Sequence, residues 1–133
     1  MVPKGTVAHH AGPGKLKCKY IIHAVGPKWW PHCLPVPDLI NMLHATVYST
    51  LKRADELKCE SVSIPAISSG QSEFPKSLCA KVFFLAIKQF VADAKEEEKE
   101  VCLKFVRLTN FDSETTEIFQ REFSEQFAAP AET

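Results

Sequence analysis

Apolar residues recur at two different spacings along this chain, and the switches between them divide it into strands and helices. The run Tyr20-Ile21-Ile22-His23-Ala24-Val25, closed by Gly26-Pro27, has the length and apolar continuity of a buried strand. The stretch 5–9 before it reads as a short edge strand. Residues 28–37 hold both tryptophans and a cluster of prolines, which predicts a loop ending at Asp38 as a helix N-cap. From there Leu39, Leu43, Val47, Leu51, Ala54 and Leu57 follow one another at intervals of three and four. That spacing predicts an amphipathic helix, with Lys52, Arg53, Asp55 and Glu56 near its wet end.

Residues 62–67 predict a second strand of this series, and Pro75 sits where the first turn of a helix tolerates it. Residues 78–91 are apolar along two stripes, Leu78/Val82/Leu85 and Cys79/Phe83/Ala86/Phe90, so this helix should be buried on more than one side. The charge run 94–100, AKEEEKE, reads as a solvated helix end or connector and is assigned no function. Residues 101–108 predict a third strand, and 113–127 a last helix with Phe119, Phe123 and Phe127 four apart. Strands alternating with helices predict an α/β fold whose largely parallel sheet is covered on both faces, with ligands at the carboxyl ends of the strands. Three strands are few for such a sheet. Either the short N-terminal stretch pairs with them, or part of a larger domain lies outside the chain and leaves an edge open to self-association.

With 133 residues, 45% of them hydrophobic, the chain suits a single domain, taken here as residues 1–133. Sixteen basic and sixteen acidic residues cancel, so no broad field draws in nucleic acid or a membrane, and any anion must be gripped locally. Neither a signal-type opening nor a membrane-length apolar run is present in the sequence. The cysteines, Cys18, Cys33, Cys59, Cys79 and Cys102, are odd in number and lack knuckle spacing, which fits a reducing nuclear or cytoplasmic compartment. Cys79, Cys18 and Cys59 read as buried structural thiols, and His23 as a core histidine. His9-His10 and His32-Cys33 have no second ligand pair at zinc spacing, so no metal is expected.

The chemistry concentrates in IPAISSGQSEFP, residues 64–75, which leaves a strand and enters a helix. Ser68, Ser69, Gly70, Gln71, Ser72, Glu73 and Phe74 can turn backbone N–H groups toward the positive end of the helix dipole. Such a loop holds a phosphate without net charge. Gly70 permits close approach, and the serines add hydroxyls. There is no Walker or dinucleotide glycine pattern, and the bland alternative is an ordinary strand-to-helix turn. A second candidate is Asn110 with Phe111 after the third strand, where an aromatic ring could stack on a base or cover a ribose, or simply pack in the core.

Three ordered blocks, LKCKYIIHAVGPKW (16–29), SIPAISSGQSEFP (63–75) and RLTNFDSETTEIFQREF (107–123), resemble the macrodomain, in particular the macrodomains that accompany ADP-ribosyltransferases of the poly(ADP-ribose) polymerase group. The resemblance runs from about residue 5 to 127. It implies a three-layer α/β/α fold with a mixed, mainly parallel sheet and a cleft for ADP-ribose, free or attached to mono- or poly-ADP-ribosylated proteins, with no further cofactor. It places the diphosphate and distal ribose in the loop from Ser68 to Phe74, and the ribose and diphosphate side against Phe111, with Asn110 and Asp112 flanking it.

Two features depart from the family pattern. Gln71 stands at a usually apolar position, and Glu73 replaces a second glycine, where a carboxylate competes with the diphosphate for the same N–H groups. The family also opens with two strands and a helix that contribute to the adenine and phosphate sites, and these are expected to be missing ahead of residue 5. The expected function is therefore an ADP-ribose-binding module weakened by both departures. The alternatives are a ligand-deficient protein-interaction module anchored by Trp29-Trp30, and, less favoured, an ADP-ribosyl hydrolase.

Overall fold

The computed structural model describes residues 7–11, 18–68, 74–109 and 112–127. Its elements, in chain order, are β1 (Val7–Ala11), β2 (Tyr20–Ala24), α1 (Val36–Glu56), β3 (Ser61–Pro65), α2 (Lys76–Glu96), β4 (Phe105–Thr109) and α3 (Ser113–Phe127). The strands form two separate pairs. β1 runs antiparallel to β2 with Val7 opposite Ala24 and Ala11 opposite Tyr20, while β3 runs parallel to β4 with Ser61 opposite Phe105 and Pro65 opposite Thr109. Half of the observed pairing is thus antiparallel, and β2 and β3 are not neighbours in a ladder.

The core lies where α1 meets α2. Leu43, Val47 and Leu51 project from α1 and Cys79, Ala80, Phe83 and Ala86 from α2, all of them fully buried. Burying a side chain the size of Leu or Phe contributes about 1.5–3 kcal/mol, so this seam holds the largest share of the stability. α2 is buried on a second side as well, but through Phe84 rather than Leu85. Phe84 meets Phe119, Phe123 and Phe127 of α3 at centroid distances of 6.1, 5.7 and 5.6 Å, whereas Leu85 is exposed.

Helix ends explain most of the differences from the sequence reading. Pro35, not Asp38, is the N-cap of α1, and Asp38 falls in its first turn, where a carboxylate also suits the helix dipole. α1 and α2 both close in a Schellman turn with a left-handed residue beyond the cap. Lys58 (φ 60°) and Glu98 (φ 51°) take that position, and the Cys59 and Lys99 N–H groups reach back to Ala54 and Ala94 carbonyls at 3.0 and 2.9 Å. The AKEEEKE run is therefore the solvated end of α2, as its charges suggest.

The third strand of the sequence reading starts four residues late. Residues 101–104 instead wrap the carboxylate of Asp55, whose Oδ1 accepts the N–H groups of Cys102 at 2.7 Å and Leu103 at 3.1 Å, with Lys99 3.7 Å away. Asp55 is buried for that reason, although its place on α1 looks wet in sequence. His23 is exposed rather than in the core, because Ile22 packs inward and successive strand residues face opposite ways. Of the cysteines only Cys79 is fully buried, while Cys18, Cys33 and Cys102 are exposed since they lie beyond strand ends or in loops.

Candidate functional site

The two parallel strands end side by side and each runs into the start of a helix. β3 leads through the 66–75 segment into α2, and β4 leads into α3. The site residues read from sequence fall on these two connections. Ser68 and Phe74 are described, whereas Ser69, Gly70, Gln71, Ser72, Glu73, Asn110 and Phe111 lie outside the described residues.

The two described ends of the first connection are pinned together. The Phe74 N–H donates to the Ser68 carbonyl at 2.8 Å, and the Cys79 thiol donates to the Ile67 carbonyl at 3.2 Å. Burial pushes the Cys79 thiol up to about 12, so at neutral pH it carries the proton it donates to Ile67. Phe74 is buried and meets Trp29 edge-on at 4.8 Å. Gly26 backs the turn, because a methyl group placed on it would lie 2.3 Å from Ser68 Oγ and 2.6 Å from Ile67 Cγ2. Only a residue without a side chain fits there. The loop carrying Gly26 lies against α1, where the Thr46 hydroxyl is 3.3 Å from the Val25 carbonyl and 2.9 Å from the Met42 carbonyl within the helix, its one proton divided between them.

Ser68 is the unusual residue. Its φ is 69°, in the left-handed region, and its buried Oγ has no hydrogen-bond partner. α2 begins at Lys76, with Pro75 as its cap, no side-chain cap bond and no acidic residue in the first turn. The first N–H groups of α2 therefore receive no side-chain acceptor at its cap, and the positive end of its dipole is not offset by a carboxylate in that turn.

The second connection is fastened to the first. Lys76, the opening residue of α2, pairs with Glu114 at 3.3 Å and approaches Asp112 at 4.0 Å. Asp112 caps α3, its Oδ1 accepting the Thr115 N–H at 2.7 Å. That bond, followed by the Thr115 hydroxyl and Lys76, holds its carboxyl below the usual carboxylate range. Asp112 thus serves α3 directly. Gly26, Trp29 and Lys76 were not singled out as site residues by sequence, since periodicity does not reveal which loop a distant glycine or lysine touches. The Gly-Pro closing a strand just ahead of a tryptophan was the available signal for the first two. Among the described residues, no three metal-ligating side chains come together.

Parallel strands β3 and β4, each running on into a helix, define an α/β protein whose strand ends and helix starts share one edge. Residues 2–83 match the family model described as Macro domain, and the chain belongs to that family. It is 42% identical over 111 residues to an uncharacterized protein of Thermotoga maritima, covering 84% of this chain and 17% of that one. It is 34% identical over 116 residues to the human protein mono-ADP-ribosyltransferase PARP14, covering 87% of this chain and 6% of that one. A mutant of the Oceanobacillus iheyensis macrodomain, solved with ADPR, superposes with a TM-score of 0.78 at 27% identity, covering 96% of this chain and 63% of that one. The three-layer macrodomain fold expected from sequence is thereby established. The chain spans less than two thirds of the length of each of these relatives.

Proposed function

We propose that this chain binds ADP-ribose, free or attached to protein, with the diphosphate held between Ser68 and the start of α2. The carrying observation is Ser68, a buried hydroxyl without a partner in a left-handed turn. Leaving such a group unpaired costs about 1–3 kcal/mol, and a non-glycine residue in this conformation adds about 1–2 kcal/mol. Both costs fall where a helix N-terminus lacks a side-chain cap, and a phosphate oxygen would satisfy the hydroxyl and the N–H groups together. The ADPR in the Oceanobacillus structure supports the same guest. The resemblance adds Ser69, Gly70, Gln71, Ser72, Glu73 and Phe74 to the phosphate and distal-ribose grip, and Asn110 and Phe111 to its second wall. Glu73 weakens the grip by placing a negative charge beside the diphosphate. The partners are then ADP-ribosylated proteins of the nucleus or cytoplasm.

Calorimetric titration with ADP-ribose tests this. The chain should give saturable one-site heat, and Glu73→Gly should bind about tenfold tighter, equivalent to about 1.4 kcal/mol. Gly26→Val, which drives a side chain into Ser68 and Ile67, should abolish the heat while circular dichroism still reports the fold. A folded chain that gives no heat, alone or as Glu73→Gly, would defeat the reading.

A further inference from the structure

We propose that Cys79 is a positioning residue for this site, its thiol holding the peptide between Ile67 and Ser68 in the orientation that keeps Ser68 left-handed, a role that rests on ADP-ribose being the guest. The segment leaving β3 is tied on both sides of that peptide. Ahead of it the Ile67 N–H donates to the Pro65 carbonyl at 2.7 Å, and beyond it the Ser68 carbonyl accepts the Phe74 N–H at 2.8 Å. The Ile67 carbonyl between these ties accepts the Cys79 thiol at 3.2 Å. Cys79 sits one turn into α2, where its own N–H bonds the Pro75 carbonyl at 2.8 Å, and helical side chains lean toward the N-terminus, so the thiol reaches back to the loop. It is fully buried, which strengthens an otherwise weak donor.

A peptide unit is planar, so turning it over moves two things at once. The Ile67 carbonyl would leave Cys79, and φ of Ser68 would pass from 69° to negative values, where a serine carries no left-handed penalty. The observed orientation is thus the costlier one for the Ser68 backbone, and the thiol bond opposes the turn that would relieve it. Gly26 leaves room for the Ser68 and Ile67 side chains but has no side chain with which to hold the carbonyl. The same turn would exchange the directions of the Ile67 carbonyl and the Ser68 N–H. A donor beside the left-handed residue would then become an acceptor, which a phosphate repels.

The ligand-free readout is the one-bond Cα–Hα coupling of Ser68 in the isotope-labelled chain, which is smaller at positive φ. Cys79→Ala should raise that coupling to the value of serines at negative φ, and should weaken ADP-ribose by about three- to tenfold in calorimetric titration. Cys79→Ser keeps a donor at the same place, so it should retain the parent's coupling and bind within about twofold of it. Val82→Ala trims another buried side chain of α2, and should lower the thermal midpoint while leaving coupling and affinity at the parent's values. Four results would overturn the proposal: a parent coupling of the negative-φ kind, an unchanged coupling in Cys79→Ala, Cys79→Ser behaving like Cys79→Ala, or Val82→Ala weakening the ligand as much as Cys79→Ala does. A parent chain that gives no heat with ADP-ribose defeats the functional reading instead, and the coupling still decides whether Cys79 sets the turn.

Discussion

α1 faces both the α2 seam and the β2–β3 gap, yet the first is filled and the second is open. Along the seam Leu43, Val47 and Leu51 meet Cys79, Phe83 and Ala86 with no exposed surface, while Thr50 and Ala54 of the same helix line a cavity of about 630 Å³. Helices satisfy their own backbone, so complementary side chains suffice to bring two of them together. Strands need a neighbour's backbone, and apolar walls alone do not close the gap between β2 and β3. The contrast separates a half of the molecule held by packed side chains from a half whose strands leave a cavity between them.

Truncation measures this contrast most strongly. Phe83→Ala removes a fully buried ring that meets Phe119 edge-on at 5.4 Å, and should cost about 3–5 kcal/mol in urea unfolding. Ile22→Ala, on the wall of the gap, should cost less than about 1.5 kcal/mol, because its surroundings are already open. Equal losses at the two positions would show that the gap is packed in solution and remove the distinction.

Asp55→Ala comes next. It strands the Cys102 and Leu103 N–H groups beside the closed half, and should cost about 2–3 kcal/mol by the same measurement. Asp55→Asn keeps an acceptor oxygen and should recover most of that loss. This residue also marks the limit of what sequence could tell. The three helices were legible because apolar spacing of three and four survives in any context, and β1 and β2 were legible as short strands, though their antiparallel pairing was not. Asp55 was not, since a carboxylate at a helix end looks solvated until a segment 47 residues away supplies its donors. The late start of β4 is the same fact seen from the other side. In the candidate site, Ser68 and Phe74 could be read from the strand-loop-helix grammar. The close approach of Gly26 and the edge contact of Trp29 could not, because they depend on how two loops from different strands meet.

The seam also responds to pH through Cys79. Its thiol is raised from an ordinary 9.0 to about 12 by burial, so the folded state holds the proton more tightly than the unfolded chain. That contribution is fully present below pH 9 and is lost as pH rises toward 12, at no more than about 1.4 kcal/mol per pH unit. Tyr48, whose phenol donates to Asp93 at 2.5 Å and is raised from 10.0 to about 12 chiefly by that bond, adds to the same limb above pH 10. At the acid end the signs reverse. Asp93 and Asp112 are held below the usual carboxylate range by hydrogen bonds, so their contributions fade as pH falls below about 4. Thermal midpoints measured from pH 8 to 11 should fall, and Cys79→Ala should flatten that fall even though it lowers the midpoint at pH 8.

The smallest expected stability effect belongs to the residue on which the binding proposal rests. Ser68→Ala keeps the same left-handed backbone demand and deletes a hydroxyl that makes no hydrogen bond. Removing an unpaired buried polar atom recovers its desolvation cost, so the variant should match or exceed the parent by up to about 1 kcal/mol in urea unfolding. The same change should weaken ADP-ribose by about three- to tenfold, because a neutral hydroxyl bonded to a phosphate oxygen is worth about 1 kcal/mol. A residue whose loss helps the fold and harms the ligand belongs to the binding site, whereas Phe83 belongs to the packed seam. A Ser68→Ala chain that loses stability would show instead that the hydroxyl has a partner within the protein, and would move Ser68 to the other side of that comparison.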